Sequence, residues 1–172
     1  RDGVWLDLPT TTEQVQAALR QIGISSDNPQ GLFISGYFAE EEKRFAIPYN
    51  MVLASNVDEL NFLASRLETL STGERTELNA VLQALQSELF SIGRITDFPE
   101  NVDYYVHLPD VHGPAQLGDY YLNRSGMVNM PEEWKGGIDT AQFGRYVAQQ
   151  EQGVFTEYGY LVKSGDEWQK VH

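Results

Sequence analysis

The sequence predicts an α+β protein in which strands and helices are grouped separately. Short β-prone runs occur near both ends of the chain, whereas the middle repeats leucine at helical spacing. The resulting order of elements, β-α-β-β, then helices, then β-α-α-β-β, lacks the strict alternation that builds a parallel sheet. With 172 residues, the chain is long enough for one domain or a few small lobes that share interfaces.

The first lobe, residues 1–55, is expected to combine a small sheet with one helix. Its predicted elements are a strand, a helix and two further strands, at residues 3–8, 10–22, 32–38 and 45–49. The helix start depends on Thr10 and Glu13, which have the spacing of a capping box, and Gly23 is the predicted stop.

The second lobe, residues 56–102, is expected to be an acidic helical bundle. Apolar side chains recur with helical spacing at Leu60, Leu63, Ala64, Leu67 and Leu70, and again at Leu78, Val81, Leu82, Leu85 and Leu89. Each helix opens with a capping-box pair, Asn56 with Glu59 and Ser71 with Glu74. We therefore predict two antiparallel helices that bury their leucine stripes together.

The third lobe, residues 103–172, is expected to be a second α+β unit. Its predicted elements are a strand at 104–108, helices at 115–125 and 138–150, a short helical turn near 132–134, and a closing hairpin from 154–162 and 167–171.

Charge is the most informative property of the composition. The chain has 25 acidic and 12 basic residues, a formal charge of −13, and an isoelectric point near 4.5. Such a field repels nucleic acids and anionic lipids and attracts basic surfaces, so we expect neither DNA nor a membrane as a partner. The absence of cysteine excludes disulfides and fits a reducing cytoplasm. Because the first residue is Arg1 rather than Met, we expect a trimmed or partial chain.

Sequence motifs for catalysis are weak. His107, Asp110 and His112 could supply metal ligands, but Pro109 interrupts them and their spacing matches no standard site. Neighbouring carboxylates such as Glu132 and Glu133 could act as an acid–base pair only if a cleft brought them together. We therefore predict a protein that is not an enzyme and needs no cofactor.

Five stretches, spread in order over nearly the whole chain, resemble motifs of the ArdA antirestriction family. They are Gly3-Val4-Trp5-Leu6-Asp7-Leu8-Pro9, the helix start from Asn56 to Ala64, Tyr120-Tyr121 with Ser125-Gly126, Ile138-Asp139 with Phe143-Gly144-Arg145, and Gly153-Val154-Phe155. The chain differs from the family pattern at its start, where the opening strand ahead of Gly3 is missing or very short.

This resemblance implies an elongated α+β homodimer that mimics DNA and occupies the DNA-binding groove of type I restriction–modification enzymes in the bacterial cytoplasm. We expect the mimic surface to be formed by Asp58, Glu59, Glu68, Glu74, Glu77, Glu88, Asp97, Glu100 and Asp103. We expect the dimer contact near Tyr104, Tyr105 and Val106, and a packing role for Phe143, Gly144 and Arg145.

Three alternatives remain open at this stage. An acidic inhibitor of another nucleic-acid-binding defence complex, such as a CRISPR effector, would have the same charge and differ only in its target. An acid–base or metal-dependent hydrolase would show turnover or a bound metal. A dimeric adaptor would bind a partner that does not handle DNA, and this binding would persist at high salt.

Overall fold

The fold, obtained as a computed structural model, is described for residues 3–25, 31–84 and 91–172. Its helices are α1 (Thr12–Gln21), α2 (Tyr49–Leu53), α3 (Val57–Leu67), α4 (Thr72–Ala84), α5 (Ile92–Thr96), α6 (Pro114–Asp119), α7 (Glu132–Lys135) and α8 (Thr140–Glu151). Its strands are β1 (Tyr105–Leu108), β2 (Val154–Thr156) and β3 (Gly159–Lys163). Helices beside one antiparallel sheet confirm the predicted α+β class. None of the described helices is long and apolar enough to cross a membrane.

The three strands predicted before residue 50 are not formed, and the described residues 3–25 and 31–84 contain no strand. A strand is stable only when a neighbour completes its backbone hydrogen bonds, and here side chains take that role. The Asn79 amide accepts a hydrogen bond from the backbone N–H of Ala46 and donates one to the carbonyl of Arg44. Asn61 pairs in the same way with the backbone of Thr10.

The helix starts follow the local sequence closely. Both central capping boxes are present, because Asn56 pairs reciprocally with Glu59 and Ser71 with Glu74. Helix α1 begins one residue later than predicted, since Thr11 rather than Thr10 is the N-cap.

Both central leucine stripes enter one core, but the two helices are not primarily each other's partners. Among the described residues, α3 packs chiefly against α5, whereas α4 packs against β2 and β3. The two helices are therefore not the simple pair that was predicted. Burial in one core is confirmed for the stripe residues Leu60, Leu63, Leu67, Leu70, Leu78, Val81 and Leu82. Leu85 and Leu89, the last two positions of the second stripe, lie outside the described residues. Helix α4 lies deep in this core, with its buried residues at Leu78, Ala80, Val81 and Leu82.

The sheet has the strand order β1-β3-β2, and all of its pairs are antiparallel. Val106 pairs with Val162, so the predicted strand near 104–108 is confirmed. The run 154–162, predicted as one arm of the closing hairpin, folds into a hairpin by itself, because Phe155 pairs with Tyr160. The predicted strand at 167–171 is wrong, because this segment leaves the sheet and lies against Asp97 and Asn101 of the central region.

Helices α6 and α8 pack at unusually short distance. A Cβ atom on Gly144 would overlap the carbonyl oxygen of Pro114, and one on Gly118 would overlap the backbone of Thr140. The two glycines therefore permit the two backbones to touch, which agrees with the packing role expected for Gly144.

Candidate acidic interaction surface

The acidic residues lie predominantly on the surface. In the part of the chain that the structure describes, every Asp and Glu is exposed except four, which are Glu74, Glu77, Asp97 and Glu151. Most of the described carboxylates are thus displayed to the solvent rather than enclosed in the fold. The residues predicted for the mimic surface divide into three groups, on α3, on α4 and on the turn between α5 and β1.

Helix α3 presents Asp58 and Glu59 in its first turn and Glu68 at its C-cap, and all three are exposed. The Glu59 backbone N–H donates to the side chain of Asn56, and the Glu59 carboxylate accepts the Asn56 backbone N–H in return. Acidic side chains in a first turn also interact favourably with the helix dipole. Helix capping thus fixes the position of the Glu59 carboxylate.

Helix α4 contributes Glu74 and Glu77, which lie near Asp103 of the neighbouring turn. The hydrogen bond from the backbone N–H of Ser71, with a further bond to its side chain, lowers the pKa of Glu74. Burial, and secondarily the negative charges of Glu74 and Asp103, raise the pKa of Glu77 to about 8. Oε1 of Glu77 is buried and has no hydrogen-bond partner among the described residues. Glu77 is therefore mostly neutral at pH 7 and contributes less charge than the sequence suggests.

The turn between α5 and β1 separates its three acids. Asp103 is exposed, and Glu100 forms an ion pair with Arg66 of α3. Asp97 is only 3% exposed, because its carboxylate is turned inward and accepts the backbone N–H groups of Val171 and His172. Asp97 was predicted to lie on the mimic surface and does not, since its carboxylate serves internal hydrogen bonds instead. Glu88 lies outside the described residues.

The residues predicted for the dimer contact differ in their exposure. Tyr105 is buried in the core, and Tyr104 is half-buried, with its ring edge against Tyr105 and Trp168. Val106 is 43% exposed on β1, an edge strand of the described sheet. Of these three side chains, Val106 is the one that an outside partner can reach.

The residues considered for catalysis make other contacts or are exposed. His107 Nε2 lies 2.7 Å from the carbonyl oxygen of Tyr158, and His112 Nδ1 lies 3.4 Å from that of Thr156. Glu132 pairs with Lys135 on the short helix α7, and Glu133 beside it is exposed. Over the described ranges, no three His, Asp or Glu side chains converge as metal ligands.

Comparison with known protein families is decisive on one point. The family model of the antirestriction protein ArdA matches residues 1–162. This chain belongs to the ArdA family. Members of that family are antirestriction proteins, which act as inhibitors rather than as enzymes. No curated protein sequence matches the chain.

Two features of this ArdA chain were not predicted. The hydroxyl groups of Tyr121 and Tyr160 both donate to the carboxylate of Glu151, which ties the end of α8 to β3 and to the π-helical turn Tyr120–Arg124. Burial, followed by the hydrogen bond to Glu151, raises the pKa of both tyrosines. The second feature is the docking of residues 164–172 on the central region, beyond the residues that the ArdA family model matches. Both depend on contacts between distant residues, for which periodicity and spacing supply no signal.

Proposed function

We propose that this chain is a DNA-mimic antirestriction protein that occupies the DNA-binding groove of a type I restriction–modification enzyme. The observation that carries the proposal is the exposure of nearly all described carboxylates in an ArdA-family chain with a formal charge of −13. We define the acidic surface by its exposed members, Asp58, Glu59, Glu68, Glu100 and Asp103, together with the half-buried Glu74, whose pKa is lowered. Glu77 is also half-buried but is left out, because its burial favours the neutral form.

The physical basis is the resemblance between this surface and a nucleic acid backbone. B-DNA presents one negative charge for about every 1.7 Å of its axis, and enzymes that grip it gain affinity by neutralising phosphates. Carboxylates on neighbouring helix positions lie about 5–6 Å apart, and the helices hold them in fixed places. A groove lined with Lys and Arg can therefore bind such a surface without reading any base.

Dimerisation would extend this surface. A dimer carries twice the formal charge of −13, and a partner copy at the exposed edge of β1 near Val106 would lengthen the row of carboxylates. Such a dimer would act in the bacterial cytoplasm, where restriction enzymes meet foreign DNA.

The test is protection of an unmodified target plasmid from a purified type I restriction enzyme while the chain is titrated in. We expect protection at a near-stoichiometric ratio, and we expect it to weaken as added salt screens the carboxylates. Lack of protection at a large excess would contradict a type I target and direct the assay to other DNA-binding defence complexes.

Charge reversal on the acidic surface then tests the mechanism. The triple variant Asp58→Lys, Glu68→Lys and Asp103→Lys should lose most of its protection while keeping its folded circular dichroism spectrum. The matched control, Glu41→Lys, Glu42→Lys and Glu133→Lys, changes the net charge equally at exposed positions outside the surface. Equal loss in both variants would mean that total charge matters and that this surface has no special role.

A further inference from the structure

Residues 164–172, here called the C-terminal strap, lie across the turn between α5 and β1. The strap follows directly after β3 and lies outside the residues matched by the ArdA family model. The turn consists of the 3-10 segments Phe98–Glu100 and Val102–Tyr104 and begins at Asp97, the N-cap of the first segment. It carries two members of the acidic surface, Glu100 and Asp103.

Paired hydrogen bonds attach the strap to the turn at three places. Oδ1 of Asp97 accepts the backbone N–H groups of His172 at 2.9 Å and Val171 at 3.3 Å. The Asn101 amide accepts the N–H of Gln169 at 2.7 Å and donates to the Gln169 carbonyl at 2.8 Å, as a neighbouring strand would.

The third attachment is at Tyr104, whose carbonyl accepts both the backbone N–H and the hydroxyl of Ser164.

Aromatic contacts reinforce these bonds. The guanidinium of Arg94 lies 4.5 Å from the ring centroid of Trp168, and the ring of Tyr104 meets the same indole edge-on at 5.3 Å. At the end of the strap, the His172 ring lies 4.9 Å from that of Phe62 on α3. The strap therefore connects α3, α5 and the turn in one contact surface.

The residues of the turn fall into two groups, those that bond to the strap and those that are exposed. Asp97, Asn101 and Tyr104 bond to the strap, and the first two are each only 3% exposed. Glu100 and Asp103, which alternate with them along the chain, are exposed. Because a short 3-10 turn has little internal stability, its orientation depends on its outside contacts, which are the bonds to the strap and the ion pair of Glu100 with Arg66.

We propose that Asp97 and Asn101 are positioning residues that use the C-terminal strap to fix the orientation of Glu100 and Asp103 on the acidic surface. This inference rests on the proposed function for its effect on inhibition, whereas the anchoring itself can be tested alone. In this role Asp97 acts as a hydrogen-bond acceptor and contributes no charge to the restriction enzyme's groove.

Amide hydrogen exchange on the full chain tests the anchoring. We expect slow exchange at the amides of Gln169, Val171 and His172, although segments outside helices and strands often exchange fast. Asp97→Ala should release Val171 and His172 and also loosen the turn amide of Tyr104, which donates to the Asn101 carbonyl. If these amides in the unsubstituted chain exchanged as fast as those of an unfolded peptide, the proposal would be overturned.

Two companion variants make this measurement specific. Asn101→Ala should release the amide of Gln169. Asp97→Asn, which keeps an acceptor oxygen, should retain the protection that Asp97→Ala loses. The amide of Leu161 in β3 reports whether each variant is folded, so general unfolding is distinguished from local release.

Inhibition of the restriction enzyme by these variants then distinguishes a positioning role of Asp97 from a direct contact made by its charge. Asp97→Ala should raise the concentration needed for half-protection of the plasmid about tenfold, the size expected for losing a hydrogen bond to a charged group. Asp97→Asn should inhibit nearly as well as the unaltered chain. If the Asn variant keeps its strap protection yet inhibits as poorly as the Ala variant, Asp97 acts by its charge and the proposal is overturned.

Different measurements would contradict the proposed function and the anchoring of the turn. If the unaltered chain inhibits no type I enzyme, the proposed function is contradicted. The exchange measurements need no restriction enzyme, so they would still support or overturn the anchoring of the turn.

Discussion

Glu77 shows how burial alters the contribution of a single acidic residue. Its carboxyl group lies beside Glu74 and Asp103, and one of its oxygens has no hydrogen-bond partner among the described residues. The fold therefore favours the neutral form. Sequence periodicity places Glu77 on the same helix as Glu74 but cannot reveal this difference, because it arises chiefly from the burial of Glu77 in the fold and only secondarily from the charges of Glu74 and Asp103.

The stability of the protein should consequently fall as Glu77 ionises. Its pKa is raised from 4.5 to about 8, so the stabilisation of the neutral form is complete below about pH 4.5 and is lost as the pH rises through about 8. Glu77→Gln should flatten this decline in melting temperature between about pH 5 and pH 9. A variant that retained the full decline would assign the pH dependence to other groups, and Glu133→Gln controls for the loss of one exposed acid.

Gly144 is a second residue whose surroundings decide its role. Gly144→Ala should destabilise the fold by about 1–3 kcal/mol, since the added methyl group overlaps the Pro114 carbonyl and forces α6 and α8 apart. Urea unfolding measures this change. Gly73→Ala is the matched control, because a Cβ at Gly73 meets no atom within 4 Å. Equal stability of the two variants would contradict the close packing of these helices.

At the scale of elements, helix starts could be predicted and strand partners could not. A capping box involves four consecutive residues, so Asn56 to Glu59 contains all the information required for the start of α3. The alternating residues 3–8 and 32–38 have the pattern of strands, but a strand also needs a neighbour in space. The amides of Asn61 and Asn79 instead bond the backbone at Thr10 and at Arg44 and Ala46, and nothing in the local pattern indicates that.

The N-cap of α3 should have a measurable effect on stability. Asn56→Ala removes the side-chain acceptor of the Glu59 backbone N–H, one of the two bonds of the capping box, and should cost about 1 kcal/mol, whereas Asn56→Asp retains an acceptor and should cost much less. Thermal unfolding of the two variants under the same conditions provides the comparison. If alanine and aspartate proved equivalent at this position, the cap would contribute nothing to the stability of α3.

At the scale of the whole molecule, net charge was the sequence property that best anticipated the surface. Hydrated carboxylates rarely become buried without a partner, so an excess of acids predicts an acidic exterior. Asp97, the one acid in the described ranges that is fully buried, has this position because the C-terminal strap supplies two N–H donors from residues 74 and 75 positions later. Interactions between such distant positions require knowledge of the fold, so residues 167–171 were mistaken for part of a hairpin.

Dimerisation is the remaining prediction for the whole molecule. If the exposed edge of β1 forms the dimer contact, Val106→Lys should convert a dimer to a monomer by placing a charge in the interface. Sedimentation velocity measures the change. Met127→Lys is a suitable control, since Met127 is also exposed but lies outside the sheet. Dimers that persist in the Val106 variant would place the contact elsewhere.

The long reach of the C-terminal strap also has a consequence for synthesis on the ribosome. Helices α3 and α5 can pack as soon as they emerge, since their contacts involve neighbouring parts of the chain. The turn that carries Glu100 and Asp103 must wait for Gln169, because Asn101 is separated from this partner by 68 positions. A nascent chain therefore passes through a stage in which α3 and α5 can pack together but part of its acidic surface has no fixed shape.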